Sequence, residues 1–276
     1  MKNIFLLFFS AHLVWAASAQ SCDEWIDSSF VALDNGNLAE AENALLMALR
    51  LKPADKLNAL LWSNIGTIQR QAEKYTQAVE SYTIALAQNP LSVTVLQNRA
   101  TLYADMGKSD DAINDYTSVL QLESDNNDAL YYRGLIYLQT GNEESAETDF
   151  KKLLALNPES LQGKKGLATL EKLRGNYVEA EKIYSHLIKT YPLTQDLYIA
   201  RAELYLLSGS NARALGDINR VILDMKPDAY CYYLRAKIKI NLYEKKSAIK
   251  DLIAAKEAGY PLGELEEFLK KEQKGK

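Results

Sequence analysis

A catalytic or metal site needs nucleophiles, carboxylates, thiols or imidazoles brought together, and this chain offers few. It has two histidines, His12 and His186. His12 lies in an N-terminal apolar run that reads as a secretion signal and leaves with it. His186 stands in a helical stretch with no serine or cysteine nucleophile at a recognisable spacing, and reads as a helix-surface histidine. A zinc site wants a cluster of histidines and cysteines, and Cys22 and Cys231 are isolated. Gly107-Lys108-Ser109 matches the end of a phosphate-binding loop, but the glycine required earlier is replaced by Leu102. The paired acids Asp110-Asp111 and Glu143-Glu144 fall at expected helix starts, where the macrodipole favours them. No catalytic set, no metal ligands and no cofactor site are read, so function is expected from surface.

The elements that carry that surface recur. Over 127–160, Leu130, Gly134 and Tyr137 share one helical face, Gly141 breaks the chain, Ala146, Phe150, Leu153 and Leu154 share a second face, and Pro158 stops it. Such a helix pair has one apolar face too many to stand alone. Copies exist: Ala41, Ala78, Ala112, Ala146, Ala180, Ala214 and Ala248 are separated by one step of 37 residues and five of 34. With that alanine as position 20 of a 34-residue unit, position 8 is Gly66, Ala100, Gly134, Ala168, Ala202 and Ala236. Position 15 is Gly107, Gly141, Gly175 and Gly209, and position 32 is Pro53, Pro90, Pro158 and Pro192. Trp25, Trp62, Leu96, Leu130 and Tyr198 occupy position 4; Tyr82, Tyr116, Phe150 and Tyr184 occupy position 24.

This period and these residue types resemble the tetratricopeptide repeat (TPR). The resemblance implies an all-α, right-handed superhelical solenoid of antiparallel helix pairs. The expected units are 22–55, 59–92, 93–126, 127–160, 161–194, 195–228 and 229–262, within a domain spanning 20–262. Residues 263–276 are read as a capping helix and tail, with Leu262, Leu265, Phe268 and Leu269 on one face.

The chain opens with Lys2, an apolar run from Ile4 to about Ala17, and Ala17-Ser18-Ala19, the layout of a cleaved signal peptide over 1–19. An uncleaved anchor fits less well, because no basic flank follows the run. The mature chain is expected to be exported, to a bacterial periplasm first, and otherwise secreted or held at the envelope. Cys22 also reads, as a weaker fit, as the lipid-bearing first residue of a lipoprotein, because Ala19-Gln20-Ser21 is a poor lipidation box. The net charge of −4 becomes one unit more negative when Lys2 leaves with the signal. That argues against a nucleic-acid partner, which calls for a basic stripe. No span follows Ala19. A Cys22–Cys231 disulfide is not expected, because the two lie in the first and seventh units, further apart than a bridge reaches.

Two departures inside the array have a physical reading. Arg99, Arg133, Arg201 and Arg235 at position 7 occur in the same units as Asp115, Asp149, Asp217 and Asp251 at position 23, and both are missing together elsewhere. That covariation predicts an ion pair within each unit. The fifth unit has Lys164 and Glu171 where bulky residues normally pack, plus Gly163 and Gly166, each costing about 1 kcal/mol inside a helix relative to alanine. It reads as ordinary repeat drift, with a soft joint as the alternative.

In proteins resembling this one, the first helix of each unit lines a concave groove, with positions 2, 5, 9, 12 and 13 facing the ligand. Carried onto this chain, the resemblance implies a protein- or peptide-binding face of Ser63, Asn64, Thr67, Arg70, Gln71, Gln97, Asn98 and Thr101. It continues through Tyr131, Leu135, Lys165, Ile199, Glu203, Tyr230, Tyr233 and Lys237. Leu138, Leu206 and Ile240 belong equally to the core. The basic and asparagine clamp some relatives use for chaperone tails is absent. The expected activity is non-enzymatic binding of a protein or extended peptide, as an adaptor or scaffold, alternatively as an assembly chaperone or lipoprotein subunit of an envelope complex.

Overall fold

The computed structural model describes residues 21–52 and 56–274, and regular structure among them is helical throughout. The expected signal peptide and Pro53 lie outside the described residues. Two compact units divide between Gly107 and Lys108. In the first, α1 (Cys22–Asp34), α2 (Leu38–Leu51), α3 (Asn58–Gln71), α4 (Tyr75–Gln88) and α5 (Val93–Asp105) each pack on the next. In the second, α6 (Ser109–Leu122), α7 (Asn127–Gln139), α8 (Glu143–Leu156), α9 (Leu161–Leu173) and α10 (Tyr177–Thr190) do the same. They continue into α11 (Gln195–Leu207), α12 (Asn211–Asp224), α13 (Ala229–Asn241), α14 (Lys245–Glu257) and α15 (Leu265–Lys274). The first helices of neighbouring pairs also touch, α3 with α5, α7 with α9, and α11 with α13.

The seven aligned alanines are all fully buried, which is why each is small. The position-24 rings Tyr82, Tyr116, Phe150 and Tyr184 are at most 1% exposed and form the layers between pairs. Leu262, Tyr260, Leu265 and Phe268 cover the apolar edge formed by Leu252, Ala255 and Ala236, closing the end of the stack as expected for a cap. The Leu269 side chain lies outside the described set.

The turns between paired helices share one geometry. Gly141 N–H donates to Leu138 and Asn142 N–H to Tyr137, the paired bonds that end a helix through a left-handed residue. Glu73 (φ 58°) and Tyr243 (φ 62°) occupy that left-handed position without being glycine. An L side chain there costs about 1–2 kcal/mol. Tyr243 is 90% exposed and gains nothing back from packing. Tyr243→Gly and Glu73→Gly are each expected to raise stability by about 1 kcal/mol, measurable as a higher urea midpoint. An unchanged or lower midpoint for both contradicts the assigned strain.

The predicted ion pairs form in the second unit. Arg133 donates from Nε and Nη2 to both Asp149 oxygens at 2.9 and 2.7 Å. Arg201 grips Asp217 at 2.7 and 2.8 Å, and Arg235 grips Asp251 at 2.9 and 2.6 Å. A third contact was not foreseen: each arginine sends Nη1 back to the preceding pair, to Thr117, Ser185 and Asn219 respectively. In the first unit Arg99 donates likewise to Thr83 at 3.0 Å. All four acceptors stand at position 25. Each such arginine ties its own helix to the second helix of the pair before it.

The expected weakness of α9 needs correcting. Gly163 and Gly166 are buried, and α9 packs on both α8 and α10. A Cβ on Gly166 would lie 2.3 Å from Phe150, and one on Gly163 would lie 2.9 Å from Leu154. These glycines seat the side chains of α8; they are not gaps in a helix.

Candidate functional site

In the second unit, four of the expected residues come together on the first helices. Glu203 on α11 accepts from Lys172 Nζ of α9 at 2.9 Å and from the Tyr230 hydroxyl of α13 at 2.8 Å. Tyr230 stacks near Tyr233 at 6.2 Å between ring centroids, and Lys237 Nζ lies 5.7 Å over the Tyr233 ring. Tyr260 joins at 4.8 Å from Tyr233 and 5.6 Å from Tyr230. The result is one half-buried cluster spanning three successive pairs and the segment that leads into the cap.

The electrostatics follow from burial. Desolvation, with the Glu203 carboxylate adding to it, pushes the Tyr230 hydroxyl well above the usual phenol range. It therefore stays a donor and holds Glu203 in place. Tyr131 on α7 is pushed up to about 12, first by burial and then by neighbouring Tyr132, Tyr184 and Asp196. Tyr131 meets Tyr132 edge-on at 5.4 Å and Phe150 at 6.4 Å. Leu135 packs in the same cluster, Ile199 packs in that of α9–α13, and Lys165 is half-buried on α9. Leu138 is 8% exposed and belongs to the core, and half-buried Leu206 packs against the core of α9–α13. Ile240 is half-buried.

In the first unit the expected polar face is largely committed to the protein itself. Thr67 bonds the Ser63 carbonyl and the Tyr82 hydroxyl, Thr101 bonds the Gln97 carbonyl, and Arg70 pairs with Asp105 at 2.7 Å. Ser63 is 6% exposed. Asn64, with Gln71, Phe30 and Leu33, edges a concavity of about 150 Å³, and Asn98 is half-buried. The inner surface there is a hydrogen-bonded wall, with side-chain amides as its adaptable part.

Cys22 and Cys231 are free and buried; the Cys22 thiol donates to the Ala48 carbonyl at 3.7 Å, and burial with the adjacent Asp228 pushes Cys231 up to about 12. Among the described residues no three His, Cys, Asp or Glu side chains gather as a metal-ligand set. Nor is any described helix long and apolar enough to cross a membrane. Sequence reasoning missed Lys172, Tyr260 and Tyr132. Tyr260 sits at position 32, where the repeat usually has proline, and that substitution was the available signal.

With this geometry in hand, comparison with known proteins is specific. The tetratricopeptide repeat family model matches residues 31–93, 98–160 and 166–230. A crystal structure of a tetratricopeptide repeat protein from Parabacteroides merdae ATCC 43184 is 43% identical, with a TM-score of 0.83, over 91% of this chain and 98% of that one. Two more distant structures share the fold alone. PilW, a widely conserved type IV pilus biogenesis factor, is 17% identical over 70% of this chain and 90% of its own, with a TM-score of 0.59. MamA from Desulfovibrio magneticus RS-1 is 17% identical over 63% and 96%, with a TM-score of 0.56. No curated protein matches in sequence.

Proposed function

The chain belongs to the tetratricopeptide repeat family, and from that premise we propose that it is a non-enzymatic scaffold holding a protein segment on its first-helix face. Repeats of this family serve as protein–protein interaction platforms. The observation that carries the reading is the cluster of Tyr230, Tyr233, Tyr260 and Lys237, held by Glu203 and Lys172. Half-buried tyrosines beside an ammonium, on rigid helices, give contact area at little conformational cost. Tyr131, Lys165 and Ile199 extend the same face along α7, α9 and α11. Arg70 and Thr67 hold the first unit's wall and leave recognition there to Asn64, Gln71 and Asn98.

We place the protein outside the cytoplasm, in a bacterial envelope. Support comes from the signal-like segment 1–19 and from a bacterial relative at 43% identity. The packed, hydrogen-bonded Cys22 thiol favours cleavage before Gln20 over lipidation at Cys22. Service as an assembly chaperone or lipoprotein subunit of an envelope complex remains the second reading; a mass shift of a diacylglyceryl group on Cys22 in purified protein selects it.

The test is affinity capture from native envelope extract with the chain starting at Gln20, beside a Tyr131→Ala/Tyr233→Ala version of matched helicity. A partner held by the first is expected to bind the second at least about tenfold more weakly. Equal retention by both moves binding off this face and overturns the assignment.

A further inference from the structure

The fifth pair differs from its neighbours at three places at once, and all three line one hollow. Leu167 and Ile183 replace the arginine and aspartate of positions 7 and 23, and Lys164 replaces the bulky residue of position 4. In the pair before it, Lys151 stands where the hydroxyl or amide acceptor of position 25 would be. Elsewhere in the second unit this wedge is filled by a buried, bidentate ion pair. Here it opens as a hollow of about 350 Å³ with an apolar floor of Leu154, Leu167 and Ile183 and a rim of Lys164, Lys182 and His186. The 3.6-residue turn of α9 puts Lys164 and Leu167 on the side opposite Lys165 and Thr169. The hollow therefore opens away from the face assigned above, and stands or falls independently of it.

The rim already holds a carboxylate. Glu159, itself mostly exposed, accepts at Oε2 from Lys164 Nζ at 2.7 Å, and the same ammonium donates to His186 Nε2 at 3.0 Å. Lys164 is only 17% exposed, so its ammonium is held at the lip. Lys182 reaches Glu179, with both side chains in solvent. Apolar floor and cationic lip are complementary to a large apolar side chain flanked by carboxylates. A shallow hollow at the lower end of the usual ligand-pocket range suits one anchoring side chain of a peptide better than a whole acyl chain.

We propose that the hollow between α8, α9 and α10 is a second docking site, taking a leucine or phenylalanine of a partner segment whose neighbouring aspartates or glutamates displace Glu159 from Lys164. The site lies where the fifth repeat lacks the Arg–Asp pair, and introducing that pair is expected to close it.

The experiment is methyl NMR titration of the chain from Gln20 with the acetylated, amidated hexapeptide DELFED, its cationic counterpart KRLFRK, and decanoate. DELFED is expected to shift Leu154, Leu167 and Ile183 saturably, with a Kd below about 1 mM. A Lys151→Thr/Leu167→Arg/Ile183→Asp variant rebuilds the set found in the sister pairs, and it is expected to bind at least about tenfold more weakly while keeping its helicity. If that variant misfolds, Lys164→Glu/Lys182→Glu replaces it and is expected to reverse the preference toward KRLFRK. No saturable shift, shifts confined to Leu135 and Ile199, equal response to both peptides, or binding of decanoate alone each overturns the proposal.

Discussion

Arg133→Leu is expected to destabilise the second unit by about 3–5 kcal/mol, the usual cost of breaking a buried pair from one side. The Asp149 side chain is 4% exposed and would be left buried with both guanidinium bonds gone. Those bonds also drive the Arg133 guanidinium further above its ordinary range, ahead of the opposing burial, so it carries its charge at every accessible pH. Thr117 loses its donor as well, which cuts a tie between neighbouring pairs. Arg133→Leu/Asp149→Ile recreates the Leu167 and Ile183 found naturally in the fifth pair. Replacing a buried ion pair by apolar residues of similar bulk is often near neutral, and the double variant is expected to lose no more than about 1–2 kcal/mol. Urea unfolding followed by circular dichroism measures both. A double variant as unstable as the sum of its two single changes would show that these residues do not act as a pair.

Much of this was legible because the sequence states each rule several times. Seven alanines at one register mark a contact plane whatever the rest of the helix does, and all seven are buried without exception. The arginine–aspartate relation was legible for the same reason, since the two vary together. The third partner was not. Thr83, Thr117, Ser185 and Asn219 share an acceptor oxygen and a register but no residue type, so no column of identical letters announces them. The inner face was legible as positions and illegible as contacts. Helical spacing puts Glu203 and Tyr230 on it, yet only packing of α9, α11 and α13 turns them into a bonded trio with Lys172. The glycines of α9 were misread because propensity is a local quantity, and what requires them is a ring on another helix.

Gly166→Ala is therefore expected to destabilise, by about 2–3 kcal/mol, although alanine is the better helix former by about 1 kcal/mol. The added Cβ would lie 2.3, 2.4 and 2.6 Å from the Cδ1, Cε1 and Cγ of Phe150. That ring has no retreat: a Cβ on Gly134, across it on α7, would already be 2.5 Å from Cε1. Phe150 is fully buried between two glycines, one on each flanking first helix, and close packing leaves the ring little room to yield. Gly216 supplies the control. It lies exposed in α12, and a Cβ there would meet nothing within 4 Å, so Gly216→Ala is expected to stabilise by about 1 kcal/mol. Shrinking the ring should reverse the penalty: Phe150→Leu/Gly166→Ala is expected to be more stable than the sum of its parts by about 1 kcal/mol or more. Opposite signs for the two alanines, with rescue by the smaller partner, distinguish a packed glycine from a weak helix. If both alanines stabilise, local propensity describes α9 after all and Phe150 has room that its two glycines deny it.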